Sequence, residues 1–458
     1  MTPFRYALLF AAAVVAMIVS APAAHGQTTP PGDAAVLFEG ARLIVGDGTA
    51  IDNSAFVVAR GRFTSVGRRG QVQAPAGALR VDLTGKTVIP ALVDGHSHIG
   101  YQKGVSTSVK NYSRENILDH MKRFAYYGIA ASQAMGSDFG DMPYELLREI
   151  LAGTHPDAAR FLTAGRGLAP LSEIAGDNMR HAAYVVSTEE GARADVRELA
   201  SHGVTLVKTW VRADPKMPPE LFGALIDEAH RNNLRVAVHA TDLADAKALL
   251  RAGIDVFAHM IDDVDDELVA LFKEHPNAAV LPSLAAPRLS TGYAPWLDPL
   301  DPLLAVTQRP DHIALFKTRI ASTTPAARTR ANEAWTKLAK GLVRLKQAGV
   351  MIGLGTDGGG QNGGYVGWTA HAELENLVAA GLSPMDVISI ATKNTAEILR
   401  IEDLGTVAVG KSADFDVLDA NPLENITNSR KINSVYLRGH QVDRARLASI
   451  WKSGGYTD

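Results

Sequence analysis

The chain contains no cysteine in 458 residues. That excludes disulfides, thiolate metal sites, cysteine nucleophiles and lipid attachment through a thiol. Any metal here must be held by His, Asp, Glu or Lys. An excess of one charge sign is also missing: 46 Lys+Arg against 49 Asp+Glu give a formal net charge of −3. A strongly basic nucleic-acid binder is thereby excluded as the default. Aromatics are few, at 6%, but hydrophobic residues make up 46% and charged residues 21%, which excludes a mostly disordered chain. The length suits about one very large domain or two to three ordinary ones.

Long apolar runs are absent but for one. Arg5 is the only charged residue before Asp33, and Ala7–Val19 is unbroken apolar. Ser20-Ala21-Pro22 and the small-residue site Ala24-His25-Gly26 follow it. Thirteen residues are too few to span a bilayer as a helix. This order is that of a secretory signal peptide over residues 1–26. The expected protein is exported, periplasmic or extracellular, and has no stable membrane anchor.

From Ala34 to Val88 apolar residues alternate between glycine-rich turns, as in Ala41–Val45, Ala55–Val58 and Phe63–Val66. That is the signature of short antiparallel strands. The same style returns in Gly405–Val409, Asp414–Leu418 and Ser434–Leu437. Between these ends, apolar strands alternate with helical patterns. The strands are expected at Thr87–Val93, Gly128–Ala134, Arg160–Ala164, Thr205–Trp210, Arg235–His239, Ile254–Ala258, Ala279–Ser283 and Met351–Gly355. Helical patterns at Pro219–Asn232, Asp242–Ala252 and Thr369–Ala380 fit the alternation. The fold class is therefore α/β: a distorted TIM (β/α)8 barrel over residues 89–402. Residues 27–88 and 403–458 are expected to form one smaller composite β-sandwich from both chain ends. The stretch Ala285–Arg330 reads as the longest connection and a candidate lid.

The chemistry-bearing residues fall at strand ends. His96 and His98 close the first strand, and residues two apart in an extended chain point the same way, so both imidazoles can reach one cation. His239 ends strand five, His259 ends strand six, and Asp357 follows strand eight in Gly355-Thr356-Asp357. Lys208 lies within the apolar strand Leu206–Trp210. In a barrel these ends converge on one face, where such folds keep their chemistry. An ammonium in an apolar strand is costly unless the amine is neutral or modified. A carbamate made with carbon dioxide would give it an anionic oxygen pair able to bridge two cations.

These residues, with Ala41–Gly67, Val88–His98, Gly128–Gly136, Ile352–Gly358, His371–Pro384 and Gly405–Pro422, resemble the amidohydrolase superfamily. Within it they resemble the imidazolonepropionase-like metal-dependent hydrolases, and the resemblance covers nearly the whole chain after the leader. The resemblance implies that His96, His98 and Asp357 hold one divalent cation. His239 and His259 would hold a second, and a carboxylated Lys208 would bridge them. Zinc is the first expectation for both. It further implies a hydroxide shared by two cations, with Asp357 as the catalytic proton acceptor. The expected reaction is hydrolysis of a carbon–nitrogen bond in an amide, peptide-like or cyclic amide substrate. The alternatives are a deaminase of a nitrogen heterocycle, a lactone or ester hydrolase, and an inactive binding protein on the same scaffold. Asp242, three residues after His239, is where a deaminase would place a carboxylate, although a helix N-cap explains it more simply.

Tyr101 after the first metal pair, Trp210 and Arg212 after Lys208, and His371 at the start of a helix are the candidate substrate contacts. Gln102 and Lys103 flank the first of them. Gly358–Gly364 reads as a flexible strand-eight loop rather than a phosphate cradle, since no GxxxxGK follows a strand. The expected partner is a small-molecule substrate, with no nucleic acid; a homo-oligomer is open.

Overall fold

The computed structural model describes residues 34–454 except residues 105, 175–178, 212–213, 291–300 and 361–363. The leader of residues 1–26 lies outside the described residues.

Eight parallel strands make the barrel. The first three, Leu92–Ser97, Ile129–Ala134 and Arg160–Thr163, form one sheet. The other five, Leu206–Trp210, Arg235–His239, Val256–Ala258, Ala279–Leu281 and Met351–Ile352, follow in order in a second. A few backbone hydrogen bonds join the two sheets into a ring. Thr205 N donates to Thr163 O at 3.0 Å, and Gly95 N donates to Leu354 O at 2.9 Å. Nearly every residue on these strands is buried, because helices cover the outside and side chains fill the inside.

The sandwich draws on both chain ends, as expected. One sheet holds Val36–Glu39, Ser54–Ala59, Arg62–Arg68 and Leu79–Asp82. The other runs from His440–Gln441 through Ile432–Leu437, Phe415–Leu418 and Thr87–Pro90 to Arg42–Ile44 and Ala50–Ile51. Phe38, Phe56, Phe63, Phe415 and Tyr436 fill the space between them.

Three expectations about elements need correction. The segment Thr87–Val93 is not one strand. Thr87–Pro90 pairs with Phe415–Leu418 in the sandwich, whereas Leu92–Ser97 pairs with Ile129–Ala134 in the barrel. Both halves are wholly buried, so a continuous apolar run hides the change of sheet. Gly405–Val409 is a turn rather than a strand: Val409 is 65% exposed, and Gly405 (φ 88°) lies against the backbone of Lys393. Among its described residues, the stretch Ala285–Arg330 is largely helical. Helices Pro302–Thr307, Pro310–Ser322 and Pro325–Gln347 each begin on a proline. A proline in the first turn has no helix bond to lose, so each of these prolines starts a helix. Residues 291–300 of that stretch lie outside the described residues.

Candidate metal centre

The barrel geometry brings the strand ends together. His96, His98 and Asp357 present ligand atoms all within 4.8 Å of one another, and all three are buried. Asp357 Oδ1 lies 3.0 Å from His98 Nε2 and 3.5 Å from His96 Nε2. The ring of His259 stands 4.7 Å from that of His96 and 4.3 Å from that of His239. The four imidazoles thus form one chain of rings across the barrel mouth. Lys208 is 1% exposed, and its Nζ has no hydrogen-bond partner among the described residues; neither has His96 Nδ1. A buried ammonium with no acceptor is a costly group. Two orphaned polar atoms beside a carboxylate and three more imidazoles fit a site built for cations, and the donor set suits zinc.

Local backbone choices make this convergence fit. A side chain at Gly136, at the end of the second strand, would meet Lys208 Cγ at 2.6 Å. A side chain at Gly167 would meet the Trp210 ring at 2.1 Å. Both glycines therefore leave room for the lysine and its neighbour. His259 and Asp357 adopt φ values of 139° and 54°, and Ser283, just past strand seven, adopts 50°. Left-handed backbone in non-glycine residues costs about 1–3 kcal/mol each and concentrates at functional sites.

Burial dominates the electrostatics. It pushes the His96 imidazole well below its ordinary value, and the nearby His259 and Lys208 charges add to this against the pull of Asp357. A neutral imidazole is the form that binds a cation. Burial lowers Lys208 to about 7, again opposed by Asp357, so the amine loses its proton near neutrality. Burial works against ionisation of Asp357, but the hydrogen bond from His98 and the surrounding imidazoles outweigh it, and the carboxylate stays well below its usual range.

Several supporting residues carry no signal in the sequence reading. Asp94 Oδ2 accepts from Thr356 Oγ1 at 2.6 Å, and its Oδ1 accepts from His96 N at 3.1 Å and Thr356 N at 3.2 Å. One carboxylate thereby pins strand one to the strand-eight extension that carries Asp357. Burial raises Asp94 to about 7 despite those bonds. Ser137 Oγ lies 3.3 Å from His98 Nδ1. Glu373 accepts from Leu284 N at 2.8 Å and Ala285 N at 2.6 Å, which anchors the turn at Ser283. The Asp94-x-His96 spacing and the Gly136-Ser137-Asp138 strand end were the available signals.

The candidate substrate contacts divide. Trp210 is 3% exposed and packs with Ala169 and Ala183, its ring 5.8 Å from Lys208 Nζ, so it walls the lysine. Tyr101 is fully buried, its hydroxyl donating to Ser137 O and its ring against Tyr112. His371 is not brought to the metal residues. Its ring nitrogens lie 3.0 Å from Ser429 Oγ and 3.0 Å from Tyr127 O, which leaves none for a substrate. Arg212 lies outside the described residues. Asp242 is an exposed N-cap, accepting from Ala244 N at 2.9 Å and Asp245 N at 3.1 Å.

Comparison with known proteins agrees with this geometry. A family model described as the amidohydrolase family matches residues 87–442. An uncharacterised protein of Mycobacterium bovis is 31% identical over 215 residues, 43% of this chain and 50% of its own length. The chain thus spans about half the length of that relative. A 5-methylthioadenosine/S-adenosylhomocysteine deaminase of Pelotomaculum thermopropionicum is 23% identical over 415 residues, 84% of each chain. Among solved structures, a prolidase candidate from Bifidobacterium longum superposes with a TM-score of 0.74 at 26% identity, covering 93% of this chain and 100% of that one.

Proposed function

The chain belongs to the amidohydrolase family, and on that premise we propose that it is an exported two-metal hydrolase of carbon–nitrogen bonds in amides, peptide-like compounds or cyclic amides. The observation that carries this reading is the meeting of His96, His98 and Asp357 beside a ring-to-ring contact of His239 with His259 and a buried, unpartnered Lys208 amine. His96, His98 and Asp357 would hold one cation, His239 and His259 the other. Bound cations, zinc in the first instance, would supply Lewis acidity that makes water nucleophilic near neutral pH and polarises the scissile carbonyl.

The chain's own residues do the rest. Lys208, free of its proton near neutrality, could take up carbon dioxide with loss of one proton, and the resulting carbamate would offer an anionic oxygen pair to the cations. Ser137 orients His98 through its other ring nitrogen, the usual role of a group behind a metal-binding imidazole. Asp357, ionised and fixed between strands one and eight, accepts the proton of the attacking water and passes it to the leaving nitrogen. The deaminase reading keeps a relative but loses its carboxylate, since Asp242 is committed to its helix. The 26% identity to a prolidase candidate favours trying peptide-like substrates first.

Elemental analysis of zinc-reloaded protein should approach two equivalents per chain. A stable value of one, with Lys208→Ala fully active, would sink the two-metal reading. Hydrolysis of a panel of N-acyl amino acids, dipeptides, cyclic amides, lactones and aminated heterocycles separates the reactions, because only deamination releases ammonia from a ring. Asp357→Asn should lower kcat by about 10²-fold or more with KM changed much less, the scale for losing a general base. Export predicts that protein from its own host begins at or near Gln27; Met1 on the mature protein would refute it.

A further inference from the structure

A second cleft, of about 700 Å³, opens at the opposite end of the barrel from the metal residues, where the sandwich meets it. Four arginines line it: Arg60 and Arg62 from the turn joining two sandwich strands, Arg438 from the sandwich hairpin after Ile432–Leu437, and Arg160 at the start of the third barrel strand. Two carboxylates lie among them, and one arginine engages both. Arg160 forks onto Asp403 at 2.8 and 3.2 Å and lies 3.6 Å from Asp414.

The four arginines outnumber the two carboxylates, although Asp414 also faces Arg438 and leaves it partly compensated. Arg438 Nη2 donates to three backbone carbonyls, those of His155, Pro156 and Ala158, at 3.1–3.3 Å. Its Nη1 is buried with no hydrogen-bond partner among the described residues. Arg62 Nη1 donates to Gly410 O at 2.8 Å, and its other nitrogen only grazes Asp403 at 4.0 Å. Arg60 has no ion-pair partner among the described residues and is held by a left-handed turn at φ 49°. Neutral carbonyls hold Arg62 and Arg438 in place without adding negative charge. The turn is seated tightly, because a side chain at Gly61 would meet Arg438 O at 2.8 Å. Leu151, 56% exposed, adds an apolar wall.

We propose that this cleft binds a small doubly charged oxyanion, of the phosphate class, gripped by Arg60, Arg62 and Arg438 on its sandwich side. Guanidinium pairs suit such groups because their forked N–H donors match tetrahedral or planar oxyanions two at a time. A preformed excess of positive charge also favours a dianion over a monoanion. Because the anion would bind the folded chain and not the unfolded one, it should raise stability. The inference does not depend on the reaction at the metal centre.

Titration calorimetry of the zinc-loaded protein with inorganic phosphate, at mildly alkaline pH, tests it. The expected result is saturable binding that weakens about tenfold or more in Arg60→Gln/Arg62→Gln. Acetate at equal ionic strength should bind far more weakly. Both arginines are exposed, so the double variant should keep its melting temperature without phosphate while losing the rise that phosphate causes in the parent. Arg60→Gln alone, which breaks no ion pair, should move affinity in the same direction. Phosphate affinity unchanged in the double variant but abolished by His98→Ala would assign the anion to the metal centre and overturn the proposal. Equal binding of acetate would overturn it as well.

Discussion

In the sandwich, the Phe38 ring stacks on Phe56 at 5.1 Å and meets Phe415 and Tyr436 edge-on at 5.2 Å. At the barrel mouth, the rings of His96, His259 and His239 approach as closely, at 4.7 and 4.3 Å. Both clusters are aromatic and both lie in the interior, yet they do different work. The five sandwich rings carry one polar atom, the Tyr436 hydroxyl, and it donates to Gln441 Oε1 at 3.2 Å. The mouth carries unmet polar atoms on His96, Lys208 and Ser283 and left-handed backbone at His259, Ser283 and Asp357. Satisfied rings stabilise. Unmet atoms such as His96 Nδ1 and Lys208 Nζ suit a site that takes up a cation. The fold thus places its strain where the chemistry is, and the sandwich helps to offset it.

The sharpest way to break this contrast is to damage the sandwich alone. Phe415 is fully buried and touches Phe38, Phe56, Phe63 and Tyr436. Phe415→Ala should cost about 3–5 kcal/mol of stability, the range for an aromatic removed from a core. Denaturant unfolding should report that loss, while kcat of the folded protein stays near the parent value. A large fall in kcat without a fall in stability would mean the two regions are not separable.

The converse is to relieve the mouth. In metal-stripped protein Lys208 has a folded pKa of about 7 against an ordinary 10.5. Between those values the unfolded chain holds a proton that the folded chain lacks, so stability should rise with pH, by about 1.4 kcal/mol per unit from this group. Below pH 7 the full penalty applies. Lys208→Met removes the group. The metal-free variant should be more stable than the parent at neutral pH, lose that share of the slope up to pH 10, and be inactive when zinc is supplied. Urea titrations across the window check the sign. A less stable variant with an unchanged slope would show that the amine is not a buried, strained group.

How far the sequence carries depends on the range of the interaction. His96 and His98 are legible because strand alternation is local, and His239, His259 and Asp357 because each ends an apolar run. Asp94 is not: its purpose appears only when strand eight returns beside strand one and sets Thr356 against it, 262 positions along the chain. Ser137 and Glu373 likewise acquire their roles from barrel closure. The division of Thr87–Val93 between two sheets is invisible because both partners demand the same buried apolar residues. The helices that start at prolines 302, 310 and 325 are hidden inside the expected connection for a related reason, since a proline ends one element or begins another according to its place in the turn.

The smallest expected effect lies at the border between the two behaviours. Asp242 stands three residues beyond His239, yet its side chain is exposed and accepts from Ala244 N and Asp245 N. It behaves as a satisfied group near the mouth. Asp242→Ala should therefore lower stability by about 1 kcal/mol, the usual cost of an N-cap, and leave kcat nearly unchanged on an amide substrate. Loss of the charge at the helix N-terminus contributes part of that cost and should shrink with added salt. Unfolding curves at low and high salt, with kcat measured on the same preparations, separate the two roles. If Asp242→Ala instead keeps its stability and abolishes turnover, with ammonia as the parent's product, the carboxylate belongs to the chemistry and the amide-hydrolase reading falls to the deaminase one.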